Sequence, residues 1–258
     1  MRILVITKKR LARYLLIACS VIAGSILLVV LLTSGIIIAF APEKELPIYS
    51  VERADRVCAI TFDCAWGSDD IPDILATLRK EDIKATFFIV GQWAEKFPDQ
   101  VKAIAAEGHD IANHSYSHLR MGAIDRNKIK TEITQCSTRL NQITGNKIDL
   151  FRAPYGDYSN DVVGVAKSLG YFPIQWSVDS LDWKPEISAS DISDRILKRI
   201  RPGSIILFHN GTVHTARILP SIIASLKNEG YEFIPVSKLI IRDNYFIDFE
   251  GRQKPKTE

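Results

Sequence analysis

The 258-residue chain has no charged residue from Tyr14 to Pro42, and that absence divides it. A buried helix of a soluble domain rarely runs so long without charge. As a helix, Leu15 to Phe40 would reach about 39 Å, more than the roughly 30 Å of a hydrocarbon layer. Cysteine is scarce. The four residues Cys19, Cys58, Cys64 and Cys136 form no CxxC pair and no framework spacing, so a disulfide scaffold is excluded. Cys58 and Cys136 read as small buried apolar residues. No apolar run is followed by GxGxxG or GxxxxGK[ST], which removes the usual nucleotide sites of open α/β sheets. Repeats and low-complexity stretches are also missing. Nor is there a basic excess outside the first 14 residues. Of 33 basic residues five lie in that tail, and the remaining 28 face 30 acids, a net of −2. A nucleic-acid-binding domain would concentrate positive charge, so nucleic acid is excluded as a partner.

The basic tail (Arg2, Lys8, Lys9, Arg10, Arg13) carries no acid. By the positive-inside rule, residues 1–14 are cytoplasmic, 15–41 form a transmembrane anchor, 42–56 a stem, and the remainder lies outside the cell membrane. The tail also suits contact with anionic lipid head groups. The rival is a cleaved signal peptide, for which Ala39-Phe40-Ala41 offers a site, but Pro42 follows it and the apolar run exceeds the usual length.

Beyond the stem, apolar β-favouring runs alternate with helical patterns. Strands are predicted at 57–63, 84–90, 109–114, 149–153, 171–178, 204–209 and 231–236. Helices are predicted around 69–80, 92–106, 125–143, 159–168, 189–200 and 216–228, with Gly108, Gly145, Gly170 and Gly230 as stop signals. About seven parallel strands with intervening helices over 57–240 imply an α/β fold, a distorted (β/α) barrel, with an open doubly wound sheet as the alternative. Residues 241–258 read as a C-terminal tail.

Five of these runs end in groups capable of chemistry: Asp63 in VCAITFDCAWG, His114 and His118 in DIANHSYSH, Arg152 in LFRAPYG, Asp179 and Asp182 in IQWSVDSLDW, and His209 in IILFHN. Strand C-terminal ends are where α/β barrels place their sites. The H-x-x-x-H spacing suits zinc. Asp63 reads either as a helix cap or as a ligand or catalytic carboxylate, and Arg152 needs an acidic partner, for which Asp63 is the natural candidate. His209 is either a buried neutral imidazole or a titrating acid–base group that Asp179 or Asp182 orients. Tyr155, Trp176 and Trp183 suit either packing or a sugar face, and His109 and His214 are left as structural or exposed.

TFD (61–63), H-S-x-x-H (114–118), R-A-P-Y-G (152–156), D-S-L-D-W (179–183) and L-x-H (207–209) resemble, in order, the five motifs of the polysaccharide deacetylase family. This is the NodB-homology domain, carbohydrate esterase family 4. The match spans about 57–239, and the tail, anchor and TFDCAWG variant resemble its membrane-anchored, sporulation-associated PdaB-like branch. The resemblance implies a hydrolase that binds a divalent metal, such as zinc, and removes N-acetyl groups from amino-sugar polymers such as peptidoglycan or spore cortex. Asp63 would be the catalytic base, His114 and His118 metal ligands, and Arg152 the group holding Asp63. The Tyr155 N–H would stabilise the oxyanion, His209 would be the acid, Asp182 its orienting partner, Trp183 a neighbour of the site, and Leu207 the lining of the acetyl pocket. The family's second aspartate, a metal ligand, is Cys64 here. Three outcomes stay open: a Cys64 thiolate ligates, Asp69 or Asp70 reaches in, or metal binds weakly or not at all. The last would leave a non-catalytic or weakly active glycan-binding protein.

Overall fold

The computed structural model describes residues 8–40 and 44–256, with side chains described outside 31–40. The start of the basic tail (1–7), the junction 41–43 with its candidate cleavage site, and residues 257–258 lie outside the described residues. The chain divides into two units, Met1–Lys44 and Glu45–Glu258.

In the first unit a single helix, α1 (Lys8–Phe40), holds an apolar stretch, Lys8–Val30, of mean hydropathy 2.2. It is long and apolar enough to cross a membrane. Its hydroxyls turn back on the backbone, Ser20 Oγ to Leu16 O and Ser25 Oγ to Val21 O, which lowers the cost of carrying them into an apolar medium.

The second unit contains strands β1 (Ser50–Val51), β2 (Val57–Cys64), β3 (Thr86–Ile89), β4 (Asp110–Asn113), β5 (Leu150–Phe151), β6 (Phe172–Pro173), β7 (Val178–Asp179), β8 (Ser204–His209), β9 (Glu232–Phe233), β10 (Tyr245–Ile247) and β11 (Arg252–Pro255). Its helices are α2 (Ile71–Lys80), α3 (Gly91–Lys96), α4 (Pro98–Ala106), α5 (Arg126–Thr144), α6 (Asn160–Ser168), α7 (Ala189–Arg199), α8 (Thr215–Asn228) and α9 (Val236–Leu239). Strands β7-β8-β2-β3-β4-β5-β6 pair in that order, all parallel, and β9 joins the start of β2. The result is a curled, incomplete barrel.

The central strand β2 is buried along its whole length. Side chains alternate across a strand. Cys58, Ile60, Phe62 and Cys64 therefore pack on the helix side with Ile74, Leu78 and Ile222. Val57 and Ala59 pack on the inner side with Phe88, Ala112 and Leu150. Both faces are covered, which is why the strand reads as an unbroken apolar run.

Several expected boundaries change. The run 171–178 is two short strands, because 174–177 leaves the ladder to meet the expected stem. Ile48 N donates to Pro173 O (2.8 Å) and Gln175 N to Ile48 O (2.7 Å). Then β1 pairs antiparallel with β8 and parallel with β11. Residues 48–51 thus fill the gap between β6 and β8 instead of forming a free linker. Gly203 makes the crossing possible: its φ is +76°, and a Cβ there would lie 1.8 Å from Val51 O. The expected C-terminal tail forms the β10–β11 hairpin on this edge. Elsewhere Pro98 starts a new helix inside the predicted 92–106 helix, and 231–236 keeps only two strand residues before α9.

Gln253 ties the hairpin down. Fully buried, it accepts from Ile241 N (2.8 Å) and donates to Ile241 O (2.6 Å). Gln253→Ala leaves two backbone groups unpaired at about 1–3 kcal/mol each. The expected loss of stability, read by urea unfolding, is about 2–6 kcal/mol.

Candidate active site

Asp63 and His209 are register partners on β2 and β8, at the C-terminal ends of both strands. Adjacent strands lie about 4.8 Å apart, so alternation points both side chains to the inner side of the curled sheet. One step below, Thr61 faces Leu207, which is 2% exposed and floors the pair.

Arg152, just past β5, enters from across the barrel and is fully buried. Its Nη1 donates to Asp63 Oδ1 (2.6 Å) and Thr61 Oγ1 (3.0 Å), and Nη2 donates to Gln175 O (3.0 Å). The guanidinium lies 3.9 Å from the Phe88 ring centroid, with Trp176 at 5.5 Å. Burial alone would raise the Asp63 pKa, but the Arg152 guanidinium above all, with the neighbouring His114 and His209, outweighs it and holds the carboxyl below its usual range.

His114 follows β4. Its Nδ1 lies 2.9 Å from Arg152 O, a group that only accepts, so the proton sits on Nδ1 and Nε2 turns toward Asp63 Oδ2 at 3.3 Å. Burial lowers the His114 pKa and keeps the ring neutral. His118 stands beside it, ring centroids 5.2 Å apart, with Nδ1 3.1 Å from Tyr155 Oη. Burial and the neighbouring His114 push His118 down to about 4. This loop is built by residues the sequence reading did not single out. Asn113 Oδ1 accepts from Ser115 N (2.8 Å), and the fully buried Glu132 accepts from Tyr116 N and Ser117 N (3.1 and 2.7 Å). The signal for Glu132 was an acid inside the apolar stripe Ile129, Ile133, Cys136 of α5.

On the opposite side, Asp182 grips His209 twice, accepting from its N (2.7 Å) and Nδ1 (2.8 Å), while Thr215 Oγ1 donates to Asp182 Oδ2 (2.5 Å). Nε2 is left facing the cleft. Burial works against a charged imidazole, yet the Asp182 bond and the charges of Asp182, Asp63 and Asp179 outweigh it and raise the His209 pKa. Asp179 caps Leu181 N instead, so of the two candidate orienting groups only Asp182 touches His209. Tyr155 and Trp183 are half-exposed at the rim, and so is Trp66, whose ring lies 5.7 Å from His118 and 5.9 Å from His209. Among the described residues six non-glycine residues have positive φ. Four of them, Ser115, His118, Tyr155 and Leu181, lie in the loops of this cleft. Such strain collects where surrounding structure fixes a site.

His109 lies at the other end of β4, buried, accepting from Ala85 N (3.1 Å), and is structural.

The three-donor metal set implied by the motifs is not met. His114 and His118 are adjacent, but Cys64 continues β2 in register with Ile89, so its side chain falls on the helix side, opposite Asp63. It is fully buried there, and burial with the charges of Asp63 and Asp70 raises the thiol well above its usual pKa. Asp70 Oδ2 accepts from Gly211 N (2.8 Å) while its Oδ1 is buried without a partner among the described residues. Asp70 does not converge with the two histidines as a third donor, and Asp69 is exposed. Among the described residues no group of three His, Cys, Asp or Glu side chains converges as a metal site. The expected Cys64 ligand is therefore corrected: one residue of strand alternation turns it away.

Arg152→Met should leave Asp63 as a buried, unpaired carboxylate, costing about 3–5 kcal/mol near pH 7. In the wild type the depressed Asp63 pKa gives stability that is present above the unfolded value of about 3.9 and lost as pH falls. In the variant the buried, partnerless Asp63 carboxyl titrates above its usual range and loses its charge by protonation as pH falls. The gap between variant and wild type should therefore shrink as urea unfolding is repeated from pH 7 toward 4. A pH-independent gap would contradict this.

The polysaccharide deacetylase family matches residues 50–174. The chain is 36% identical over 188 residues to a peptidoglycan-N-acetylglucosamine deacetylase of Bacillus cereus, covering 70% of this chain and 67% of that protein. It is 30% identical over 201 residues to the peptidoglycan-N-acetylmuramic acid deacetylase PdaA of Bacillus subtilis, covering 77% and 76%. The fold also superposes, with a TM-score of 0.73 and 31% identity, on the crystal structure of a CE4 family pseudoenzyme from Bacillus anthracis, covering 76% of this chain and 69% of that one. Two of these relatives are named as deacetylases and one as a pseudoenzyme, and this chain covers about two thirds or more of each. The chain belongs to the polysaccharide deacetylase family, carbohydrate esterase family 4.

Proposed function

We propose that the chain hydrolyses N-acetyl groups on an amino-sugar polymer of the peptidoglycan type, outside a membrane in which α1 anchors it. The observation that carries this is the pairing of Asp63 and His209 on neighbouring strands, one held anionic by Arg152 and the other held cationic by Asp182. Amide hydrolysis needs that pair. Asp63 takes a proton from water as it adds to the acetyl carbon, and the Tyr155 N–H donates to the oxygen that becomes negative. As the C–N bond breaks, His209 Nε2 gives its proton to the leaving amine, with Asp182 keeping the ring oriented. One oxyanion donor contributes on the order of 3–4 kcal/mol. Leu207 floors the acetyl group, and Trp183 flanks the sugar. No step here runs through a metal, because Cys64 supplies no third donor, and turnover slower than that of family members with a full ligand set follows.

Cys64 also favours a second reading, a glycan-binding protein that does not turn over, in keeping with the pseudoenzyme among its structural neighbours. Acetate release from wall fragments by the full chain separates the two. Release that falls at least 100-fold in Asp63→Asn supports hydrolysis, equal release by that variant overturns the mechanism, and binding without release establishes the second reading. If turnover occurs, its alkaline limb should lie above pH 6.5, the ordinary histidine value, because the raised His209 pKa keeps the acid protonated until pH passes its folded value. Cys64→Ser should leave bound metal per chain unchanged, and a measured decrease would restore Cys64 as a ligand.

A further inference from the structure

Beside His209 opens a cavity of about 410 Å³, lined in part by Lys184, Val213 and His214, which take no part in the reaction steps. Its size falls within the range of small-ligand sites and holds a substituted sugar ring. Its apolar walls are Trp66, Trp183 and Val213, which are 49%, 50% and 76% exposed. Flat indole faces of this kind suit the C–H side of a pyranose. The Trp66 wall is held in place. Asn210 Nδ2 donates to Trp66 O (2.7 Å) and Gly67 O (3.0 Å), and Trp93 Nε1 donates to Gly67 O (2.6 Å).

Of the two charged side chains that line this cavity, Asp182 and Lys184, the first is already paired. The sole carboxylate in its lining, Asp182, has both oxygens committed to His209 and Thr215. Lys184 also lines it, makes no ion pair among the described residues, and holds its Nζ 5.5 Å from the Trp183 ring centroid. His214, a third polar group of the lining, has a buried Nδ1 with no hydrogen-bond partner among the described residues. A neutral sugar would leave the cation of Lys184 unanswered.

We propose that this cavity is a subsite for an amino sugar carrying an ether-linked carboxylate, as N-acetylmuramic acid does, with Lys184 as the specificity residue. The proposal rests on the reading that the chain binds N-acetylated wall glycan, and it adds which sugar sits beside His209. An exposed ion pair contributes up to about 1 kcal/mol, or about fivefold in affinity, and weakens with salt.

The test titrates the full chain, by tryptophan fluorescence, with a peptide-free tetrasaccharide of alternating N-acetylglucosamine and N-acetylmuramic acid, and with its methyl ester, which keeps the shape and removes the charge. The expected result is about fivefold tighter binding of the free acid, with the ratio falling to about one in Lys184→Met and in 1 M salt. A ratio near one in the wild type, or one that survives Lys184→Met, overturns the proposal while the glycan reading stands. Failure of both fragments and of N-acetylglucosamine tetramers to bind overturns the glycan reading with it.

Discussion

A buried guanidinium holds the inner side of this barrel together. Two charges brought out of water, Arg152 and Asp63, are tolerable only when geometry and additional hydrogen bonds repay their desolvation. Here Arg152 spends its donors on Asp63 and Thr61 of β2 and on Gln175 O beyond β6, while its own carbonyl receives His114 Nδ1. One side chain therefore fixes the base, the first histidine and the spacing across the sheet. The His209–Asp182–Thr215 chain does the same on the other wall, and the register of β2 against β8 brings the two arrangements face to face.

The sequence made the centre of the fold readable and its edges opaque, for reasons of length. β2, β8, β3 and β4 are runs of four to eight buried residues with helices between them, and they carry periodicity and stop signals. β1 is two residues long, too short for any alternation to show, and its role depends on a gap between β6 and β8 that only the three-dimensional curl creates. The closing hairpin is polar in sequence, RQKP on β11, and is held by the amide of Gln253, a contact that no hydropathy pattern announces. Glu132 was readable as an acid in an apolar stripe, whereas Trp66 was not, because its importance comes from where the loop after β2 turns back over His118 and His209.

Cys64 illustrates how a single residue of register decides chemistry. Treating it as a metal ligand assumed that β2 ends at Asp63 and that the next residue turns inward. The ladder instead continues one residue further, to Cys64 opposite Ile89, and a strand that continues must send successive side chains to opposite faces. A small apolar thiol is at home among Phe62, Ile89 and Ile74, where a carboxylate would be an unpaired buried charge.

That placement bears on what the intact motifs mean. Asp63 with Arg152, and His209 with Asp182, form paired charges in the interior, and His114 is tied to the first pair through Arg152 O, so each of them contributes to stability whatever its chemistry. Truncating one member strands its partner: without Arg152 the Asp63 carboxylate is unpaired, and without Asp182 the His209 imidazole loses its charge partner. Such a network persists for structural reasons even where turnover is weak, so five matching motifs alone do not separate a working hydrolase from a binding protein built on the same frame. The groups that carry no structural burden are more informative. Trp66, Trp183, Val213 and Lys184 are exposed or half-buried and lie outside the hydrophobic core. Their position beside the acid is what a surface shaped for a glycan would require, and stability does not demand it.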